Sequence, residues 1–271
     1  MDLGFDPVAS LGPFRVAWHS LWSLAGMAVG SWLSFRLART LVKDERIYPF
    51  AIAVVLGGLI AARTGHVADN WPYYSAHPDQ LLAFWNGGVA VTAAPIGSAI
   101  AGWIACRRLR LPLGFMFDIT VIGIVLGEAI GRIGDIINGE HHAIACSGLP
   151  WCVRYTNPAT LGQRDFVHPI AAYDLLLDLL IFWILLRYWS RARGRQPEGR
   201  VFWLYLVLYG GFRFVTSFLR LDPVIVAGLQ EAQLLGLAYV VVGVPVLLWL
   251  HDLNRPDRGR GRDRPPVTTL T

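Results

Sequence analysis

The sequence "GEAIGRIGDIINGEHHA", residues 127–143, begins inside a long apolar segment and ends among polar and charged side chains. Lipid disfavours such residues, because an arginine near the centre of a bilayer costs at least ~2.5–3.5 kcal/mol on insertion scales. Glu128 and Arg132 are four residues apart and share one face of a helix, and Asp135 stays near that face. The stretch therefore predicts a membrane helix whose polar face points into a protein interior or a wet cavity.

The composition of the whole chain is that of a polytopic membrane protein. Its 271 residues are 54% hydrophobic and only 16% charged, whereas an ordinary soluble domain carries roughly 25% charged residues. The apolar residues come in blocks near the ~20 residues that a bilayer crossing needs. We therefore predict an all-α polytopic membrane protein with seven transmembrane helices, at residues 16–35, 47–68, 89–106, 115–133, 169–188, 201–220 and 232–250.

The basic residues predict the orientation of these spans. Of the 24 lysines and arginines, 17 fall in four segments that lie on the same side of a seven-span topology: 36–46, 107–110, 187–200 and 255–264. Basic residues favour the cytoplasmic side, which places the N-terminus outside and the C-terminus in the cytoplasm. A rim of arginines facing anionic lipid also explains the net charge of +5 without a nucleic-acid partner.

The domain organisation follows from the spans. We predict one transmembrane domain over residues 1–252, with outer loops at 69–88 and 135–168. The basic tail, 253–271, is rich in proline, glycine and arginine and is expected to be disordered. The first residues lack a basic n-region, so no cleavable signal peptide is predicted.

Cys146 and Cys152 lie in the second predicted outer loop. An oxidising exterior permits a disulfide between them, and two free thiols remain the alternative.

Four arginines lie in or at the ends of apolar spans: Arg63, Arg132, Arg213 and Arg220. A single intramembrane arginine is usually part of a structural ion pair, but four of them favour a shared anionic site. Tyr209 precedes Arg213 by four residues and Arg220 by eleven, so one side of the sixth span carries all three. The planar guanidinium donates hydrogen bonds in pairs and keeps its charge, which suits a phosphate group.

Glycines at spacing four in the fourth span, Gly123, Gly127 and Gly131, followed by Gly134, predict close approach of another helix. That contact would place the charged face deep in the bundle. After Gly134 we expect the chain to leave regular helix, since Asn138–Gly139 is a turn signal.

Asp135, Asn138 and Glu140 would then lie at the mouth of a cavity near the outer leaflet. His141 and His142 follow at once and are candidate metal ligands. Adjacent histidines in a loop point apart, however, and no other acid-and-histidine cluster has ligand spacing. No metal or other cofactor is therefore predicted.

The segment "GRIGDIINGE", 131–140, resembles the signature G-R-x-G-N-F-x-N-x-E-x-x-G of the prolipoprotein diacylglyceryl transferase family. Further segments resemble the same family in the same order: 57–74, 81–97, 149–155 with 168–174, and 209–220. The resemblance implies a seven-helix enzyme of the bacterial inner membrane. Such an enzyme transfers a diacylglyceryl group from phosphatidylglycerol to the lipobox cysteine of a prolipoprotein, forming a thioether.

By position, the resemblance implies catalytic roles for four residues: Arg132, Glu140, Tyr209 and Arg213. It implies substrate-binding roles for five more: Arg63, Asp135, Asn138, His168 and Arg220. We hypothesise that Arg132 and Arg213 clamp the phosphodiester. Glu140 would orient an arginine or bind the glycerol hydroxyls, and Tyr209 would contact the phosphate or relay a proton.

Departures from the family pattern leave the source of the thiolate open. Thr92 stands where the family has a histidine, and Asp135 replaces the first asparagine of the signature. Other positions also differ, namely His19 for a tyrosine, Ala143 for a glycine, Ala171 for a glutamine and Asp174 for a glutamate. A histidine elsewhere would have to accept the thiol proton, with His66, His19 and His142 as candidates.

Two other functions remain as alternatives. The departures favour a non-catalytic or altered-activity lipid-binding paralogue, which would bind phosphatidylglycerol without forming a thioether. A transporter or channel would also use intramembrane charges, but the sequence shows no internal repeat and no matching pair of broken helices.

Overall fold

The computed structural model describes residues 1–12, 14–83, 88, 90, 93–192 and 198–253. These residues are mostly helical. The helices are α1 (Trp18–Ala38), α2 (Ile47–Asp69), α3 (Trp71–Ala76), α4 (Ala93–Leu109), α5 (Leu113–Asn138), α6 (Ile170–Ala192), α7 (Arg200–Thr216) and α8 (Glu231–Asp252). Of the tail predicted to be disordered, 253–271, only residue 253 belongs to the described residues.

Short strands precede α1 or lie between later helices, so the fold is mostly helical rather than strictly all-α. The strands are β1 (Asp2–Leu3), β2 (Val8–Leu11), β3 (Phe14–Ala17), β4 (Arg154–Tyr155), β5 (Val224–Val226) and β6 (Leu229–Gln230). They form three two-stranded pairs, β1–β4 parallel, β2–β3 antiparallel and β5–β6 antiparallel. Single 3-10 turns occur at Pro78–Gln80 and Ser217–Leu219. Hydropathy alone did not predict these pairs because each is too short for a periodic pattern.

Four of the described helical segments are long and apolar enough to cross a membrane. They are α2, α5, α7 with its following 3-10 turn, and α8, and their mean hydropathy lies between 1.4 and 2.1. The other long helices, α1, α4 and α6, occupy the positions of the three remaining predicted spans. Large apolar side chains such as Val241, Leu248 and Trp249 of α8 are exposed, as expected for a helix that faces lipid.

Helix α5 is the centre of the bundle. It packs against α1, α6 and α7, while α2 pairs with α4 and α7 with α8. Met116, Ile119, Ile122 and Val125 of α5 are at most 1% exposed. The charged face of α5 is therefore enclosed by neighbouring helices, as the glycine spacing predicted.

Close contact between α1 and α5 depends on glycines of both helices. A Cβ added at Gly123 would lie 2.3 Å from the carbonyl oxygen of Gly30, and one at Gly127 would lie 2.8 Å from that of Gly26. The predicted close approach is confirmed at these two positions. At Gly131 nothing within 4 Å would meet an added Cβ, so this glycine does not contribute to the contact.

We expect Gly123→Ala and Gly131→Ala to change stability in opposite directions. The first forces a methyl group into the backbone of α1, and such overpacking typically costs about 1–3 kcal/mol. The second adds a better helix former in open space and stabilises by up to about 1 kcal/mol. Thermal unfolding of both variants in the same detergent measures the difference. Equal melting temperatures would contradict the assigned contact.

Helix α5 does not end near Gly134, contrary to expectation, but continues to Asn138. The apolar pattern persists through Ile136 and Ile137, and Gly134 packs against the backbone of His19. Gly139 then ends the helix with a φ of +75°, and its N–H donates to the carbonyl of Asp135. The loop that the sequence predicted from residue 135 thus begins at residue 139. Asp135 lies in the last turns of α5.

The loop after α5 has a small core of its own. Cys146 and Cys152 are joined by a disulfide, which resolves the alternative left open by the sequence. Val153 and Val167 pair through backbone hydrogen bonds of 2.9 and 3.0 Å. The hydroxyl of Tyr155 donates to the carbonyl of Ile136 at 2.7 Å, and burial raises the pKa of Tyr155 to about 12. The loop is therefore tied to the end of α5.

Candidate active site

Three arginines converge on one carboxylate inside the bundle. Arg220 Nη2 donates to Asp174 Oδ2, and Arg213 Nη1 and Arg132 Nη1 lie 3.4 and 3.9 Å from the same oxygen. The four side chains come from α5, α6, α7 and the segment after α7. All are at most 20% exposed, so their charges attract strongly. We call these four residues the arginine cluster.

Two carboxylates on either side of Arg132 hold it in place. Its Nη1 donates to Asp135 Oδ2 at 3.0 Å, and its Nε lies 3.5 Å from Asp178 Oδ2. The second contact is an ion pair without hydrogen-bond geometry. Among the described residues, Arg132 Nε and Asp178 Oδ2 are buried and have no hydrogen-bond partner. The two atoms face each other, so the ion pair is the contact that compensates both of them.

Hydrogen bonds between α5 and α7 align the helices that carry Arg132 and Arg213. The carboxylate of Asp118 in α5 accepts the N–H groups of Gly199 and Phe202 at the start of α7, each at 2.8 Å. A carboxylate at a helix N-terminus satisfies free N–H groups and complements the helix dipole. These two hydrogen bonds set the register between α5 and α7 in which Arg213 lies beside Arg132.

The arginine cluster borders a cavity between α5, α6 and α7. Its volume is about 10 Å³, which is room for one water molecule. Its lining is mixed: Arg132, Asp174, Leu177, Asp178, Ile181, Tyr209, Phe212, Arg213 and Thr216. Arg132 and Arg213 therefore share one cavity, as the sequence predicted. Tyr209 lines it too, one helical turn from Arg213. The polar lining, among apolar helices, is suited to an anionic head group.

Arg220 reaches the cluster by a different route from the one expected. We predicted that one continuous helix would carry Tyr209, Arg213 and Arg220, but α7 ends at Thr216 and a 3-10 turn follows. Arg220 lies beyond this turn with extended backbone, paired with Ala143 of the outer loop. This pairing directs Arg220 back toward Asp174. Arg220 itself is 3% exposed.

The polar residues after the end of α5 form the rim of a second, open cleft. Asn138 Nδ2 donates to Glu140 Oε1 at 2.7 Å. The cleft has a volume of about 400 Å³ and is lined by Gly139, Glu140, His141, His142, Leu161, Leu221 and Asp222. Within the described part of the chain, Glu140 has no arginine at ion-pair distance. The carboxylates that contact Arg132 are instead those of Asp135, Asp174 and Asp178.

Arg63 and His168 lie outside the arginine cluster, so the four-arginine site is corrected to three arginines. Arg63 is buried and donates to the carbonyls of Leu81 and Gly88, each at 2.9 Å. It thereby ties Leu81 and Gly88 to α2. His168 Nδ1 lies 3.2 Å from the hydroxyl of Tyr173 at the start of α6. Neither residue lines the cavity.

The histidines nearest to the cluster are His19 and His141, which both face Asp135. His19 Nδ1 lies 2.9 Å from Asp135 Oδ1, and His141 Nε2 lies 3.5 Å from Oδ2. Of the other candidates, His142 Nε2 lies 2.9 Å from the carbonyl of Leu161, in the cleft. His66 lies beside Tyr74, with 5.8 Å between the ring centroids, and not beside the cluster. The position of Thr92 lies outside the described residues.

Sequence reasoning missed Asp178 and His141 and undervalued Asp174. Asp174 and Asp178 are four residues apart in an apolar segment, which was a usable signal that both face the bundle interior. His141 was considered only as a metal ligand. Among the described residues, no group of three or more His, Cys, Asp or Glu side chains is arranged to hold a metal.

Known proteins resemble this chain along almost its whole length. The family model described as prolipoprotein diacylglyceryl transferase matches residues 7–249. Two relatives are named phosphatidylglycerol–prolipoprotein diacylglyceryl transferase and are each 34% identical to this chain. The one from Dehalococcoides mccartyi matches over 92% of this chain and 95% of its own length. The one from Gloeobacter violaceus matches over 93% of this chain and 96% of its own length. One from Symbiobacterium thermophilum is 35% identical over 93% of this chain and 94% of its own. Together with a membrane-helical fold built around the arginine signature, these matches show that the chain belongs to the prolipoprotein diacylglyceryl transferase family.

Proposed function

We propose that the protein transfers a diacylglyceryl group from phosphatidylglycerol to the lipobox cysteine thiol of a prolipoprotein. The observation that carries the proposal is the cavity in which Arg132 and Arg213, from two different helices, face the same space. Phosphatidylglycerol carries a phosphodiester, and the planar guanidinium groups of two arginines are suited to bind such an anion.

The arginine cluster acts as the phosphate clamp. Arg132 and Arg213 donate to the phosphodiester oxygens, and the hydroxyl of Tyr209 donates from one turn away. Asp174 holds the guanidinium groups in place before the lipid arrives, so they need little reorganisation on binding. Arg220 keeps its bond to Asp174 and stabilises it while the phosphate draws the other two arginines.

The transfer forms one bond and breaks one. The thiolate sulfur attacks the glyceryl carbon that bears the phosphate oxygen, a C–S bond forms, and the C–O bond breaks. The electron pair of that bond leaves with glycerol phosphate. The negative charge that develops on the phosphate lies between Arg132 and Arg213, so positioning and electrostatic stabilisation contribute most.

The outer rim binds the remainder of the head group. Asn138 and Glu140 are linked to each other at the cleft and present an amide and a carboxylate to the glycerol hydroxyls. Asp135 supports Arg132 from the same end of α5. Arg63 and His168 are proposed to assist substrate binding indirectly, by shaping the loops that surround the site.

The bilayer supplies part of the substrate affinity. We propose seven crossings in the bacterial inner membrane, with the N-terminus outside and the tail in the cytoplasm, on the strength of the basic segments. Phosphatidylglycerol and the signal peptide then reach the helices laterally from the lipid. Acyl chains contribute ~0.8 kcal/mol per buried methylene, so the polar cavity has only to recognise the head group.

A transfer assay with purified protein tests the proposed function. We expect proteoliposomes that contain phosphatidylglycerol with labelled acyl chains to attach the label to a lipobox peptide, with a mass increase of one diacylglyceryl group. A peptide with serine in place of the cysteine, and liposomes of zwitterionic lipid, are the controls. Phosphatidylglycerol binding without a thioether product would instead indicate a lipid-binding paralogue, and solute flux would indicate a transporter.

A further inference from the structure

His141 lies where the cavity of the arginine cluster meets the open cleft. It lines the cleft, and its Nε2 is 3.1 Å from Nη1 of Arg132, which lines the cavity. Its side chain is 31% exposed, so a group entering the cleft can reach it. A substrate thiol coming from the cleft would meet His141 before it reaches a lipid held by Arg132.

The ring nitrogen Nε2 of His141 has a partner in both of its protonation states. When the ring is neutral, Nε2 accepts a hydrogen bond from Arg132 Nη1 at 3.1 Å. When the ring is protonated, Nε2–H faces Asp135 Oδ2 at 3.5 Å, and the carboxylate stabilises the imidazolium. The bond from Arg132 occupies the lone pair of Nε2, so Nε2 becomes free to accept a proton only when Arg132 turns to the phosphate of the lipid.

The backbone holds His141 rigidly in this place. Its φ is +66°, a left-handed conformation that non-glycine residues adopt only when their surroundings impose it. The neighbouring residues supply that constraint, since Leu221 N–H donates to the carbonyl of His142 at 3.1 Å and Gln163 bonds both backbone groups of Ala143 at 2.7 and 3.0 Å. The backbone on both sides of the ring is therefore fixed by hydrogen bonds.

We infer that His141 is the base that accepts the proton of the lipobox cysteine, with Asp135 as its positioning residue. The inference rests on the proposed function and deepens it. The thiol proton moves to His141 Nε2, the thiolate attacks the glyceryl carbon, and the proton then passes to the departing glycerol phosphate. His19 Nδ1 lies 2.9 Å from the other oxygen of Asp135, on the side of the carboxylate away from His141 Nε2.

The position of His141 accounts for two departures from the family signature. Thr92 stands where the family has a histidine, and Asp135 where it has an asparagine. A carboxylate stabilises a protonated histidine better than an amide does. The aspartate therefore suits a chain whose base lies at residue 141.

The charged and titratable groups around His141 come from several elements. Arg132 and Asp135 face it from α5, and His19 of α1 and Asp174 of α6 act through these two residues. The cleft adds three more: Glu140, His142 and Asp222. The pH dependence of transfer therefore has to be compared between variants that leave all of these groups intact.

The pH dependence of His141→Asn is the decisive test. Asparagine tolerates the left-handed backbone but cannot accept a proton at this pH. At pH 7 we expect about a 100-fold loss of transfer rate. A free thiol ionises by itself near a pKa of about 8.5, so the loss should shrink to less than about tenfold at pH 9.5. His251→Asn, an exposed position at the end of α8, is the matched control.

Chemical rescue gives a second readout. His141→Gly removes the ring beside an open cleft while keeping the backbone conformation, so added imidazole should restore the rate about tenfold over the unsupplemented variant. Phosphatidylglycerol binding, measured as a thermal shift, should stay at the wild-type value in both variants.

The outcomes separate the two hypotheses. A wild-type protein without transferase activity would overturn the proposed function and, with it, the role of His141. If the wild type is active, the proposed function stands and the variants test His141 alone. The inference about His141 is overturned if its variants lose no transfer rate. It is also overturned if they lose the same factor at every pH and imidazole does not rescue them.

Discussion

Arg132→Ala and Arg213→Ala are each expected to lower the transfer rate by on the order of 10³-fold, the upper range for removing one stabilising donor from a transition state. Each substitution removes a charged, forked donor from the cavity in which the phosphate gains negative charge. Arg→Lys at the same positions should recover part of the rate, because lysine keeps the charge but not the paired donors. Initial rates of thioether formation in proteoliposomes measure all four variants.

A double variant tests whether the two arginines form one clamp. Two residues that hold the same phosphate act as a unit, so Arg132→Ala with Arg213→Ala should be little slower than either single variant. Arg36→Ala, an exposed arginine of α1, is the control and should transfer at the wild-type rate. Melting temperatures in detergent show whether a slow variant is folded. Wild-type rates in folded Arg132→Ala and Arg213→Ala would disprove the clamp.

Asp174→Ala is expected to have the largest effect on stability. It removes the carboxylate shared by Arg132, Arg213 and Arg220 and leaves three largely buried guanidinium groups to repel one another. Removing one partner of a buried ion pair typically costs about 3–5 kcal/mol. Asp178→Ala is the matched control on the same helix, with a single arginine at 3.5 Å, and should cost less. Denaturant unfolding in detergent measures both.

An anionic lipid should partly replace the missing carboxylate. If phosphatidylglycerol binds between Arg132 and Arg213, it should raise the melting temperature of Asp174→Ala more than that of the wild type, because binding to the folded state stabilises it. Zwitterionic lipid should raise neither. An Asp174→Ala protein as stable as the wild type would show that the carboxylate does not hold the arginines together.

The helices were largely predictable from sequence because each depends on local hydropathy. The predicted second span, 47–68, and the observed α2, Ile47–Asp69, differ by one residue. The end of the fourth span was less predictable. Polar residues and Gly134 suggested an early stop, whereas contact of α5 with His19 of α1 keeps the helix intact to Asn138. A contact between distant residues overrode the local signal there.

The candidate site was predicted in part. That Arg132, Tyr209 and Arg213 share one cavity followed from helical spacing and the family signature. The partners of the arginines did not, because Asp174 is 42 residues from Arg132 in the chain and only the docking of α6 on α5 joins them. Arg63 has the same residue type and the same apolar surroundings as the others, yet it binds loop carbonyls instead.

The sequence by itself determined that this chain is a helical membrane protein, where its long helices lie and which arginines must be shielded from lipid. Those properties depend on transfer from water to lipid, which each segment undergoes on its own. Only the tertiary structure decided that three arginines meet at Asp174 and that His141 lies between Arg132 and Asp135. Such pairings depend on the distance between side chains of separate helices, and that distance is set when the helices pack together.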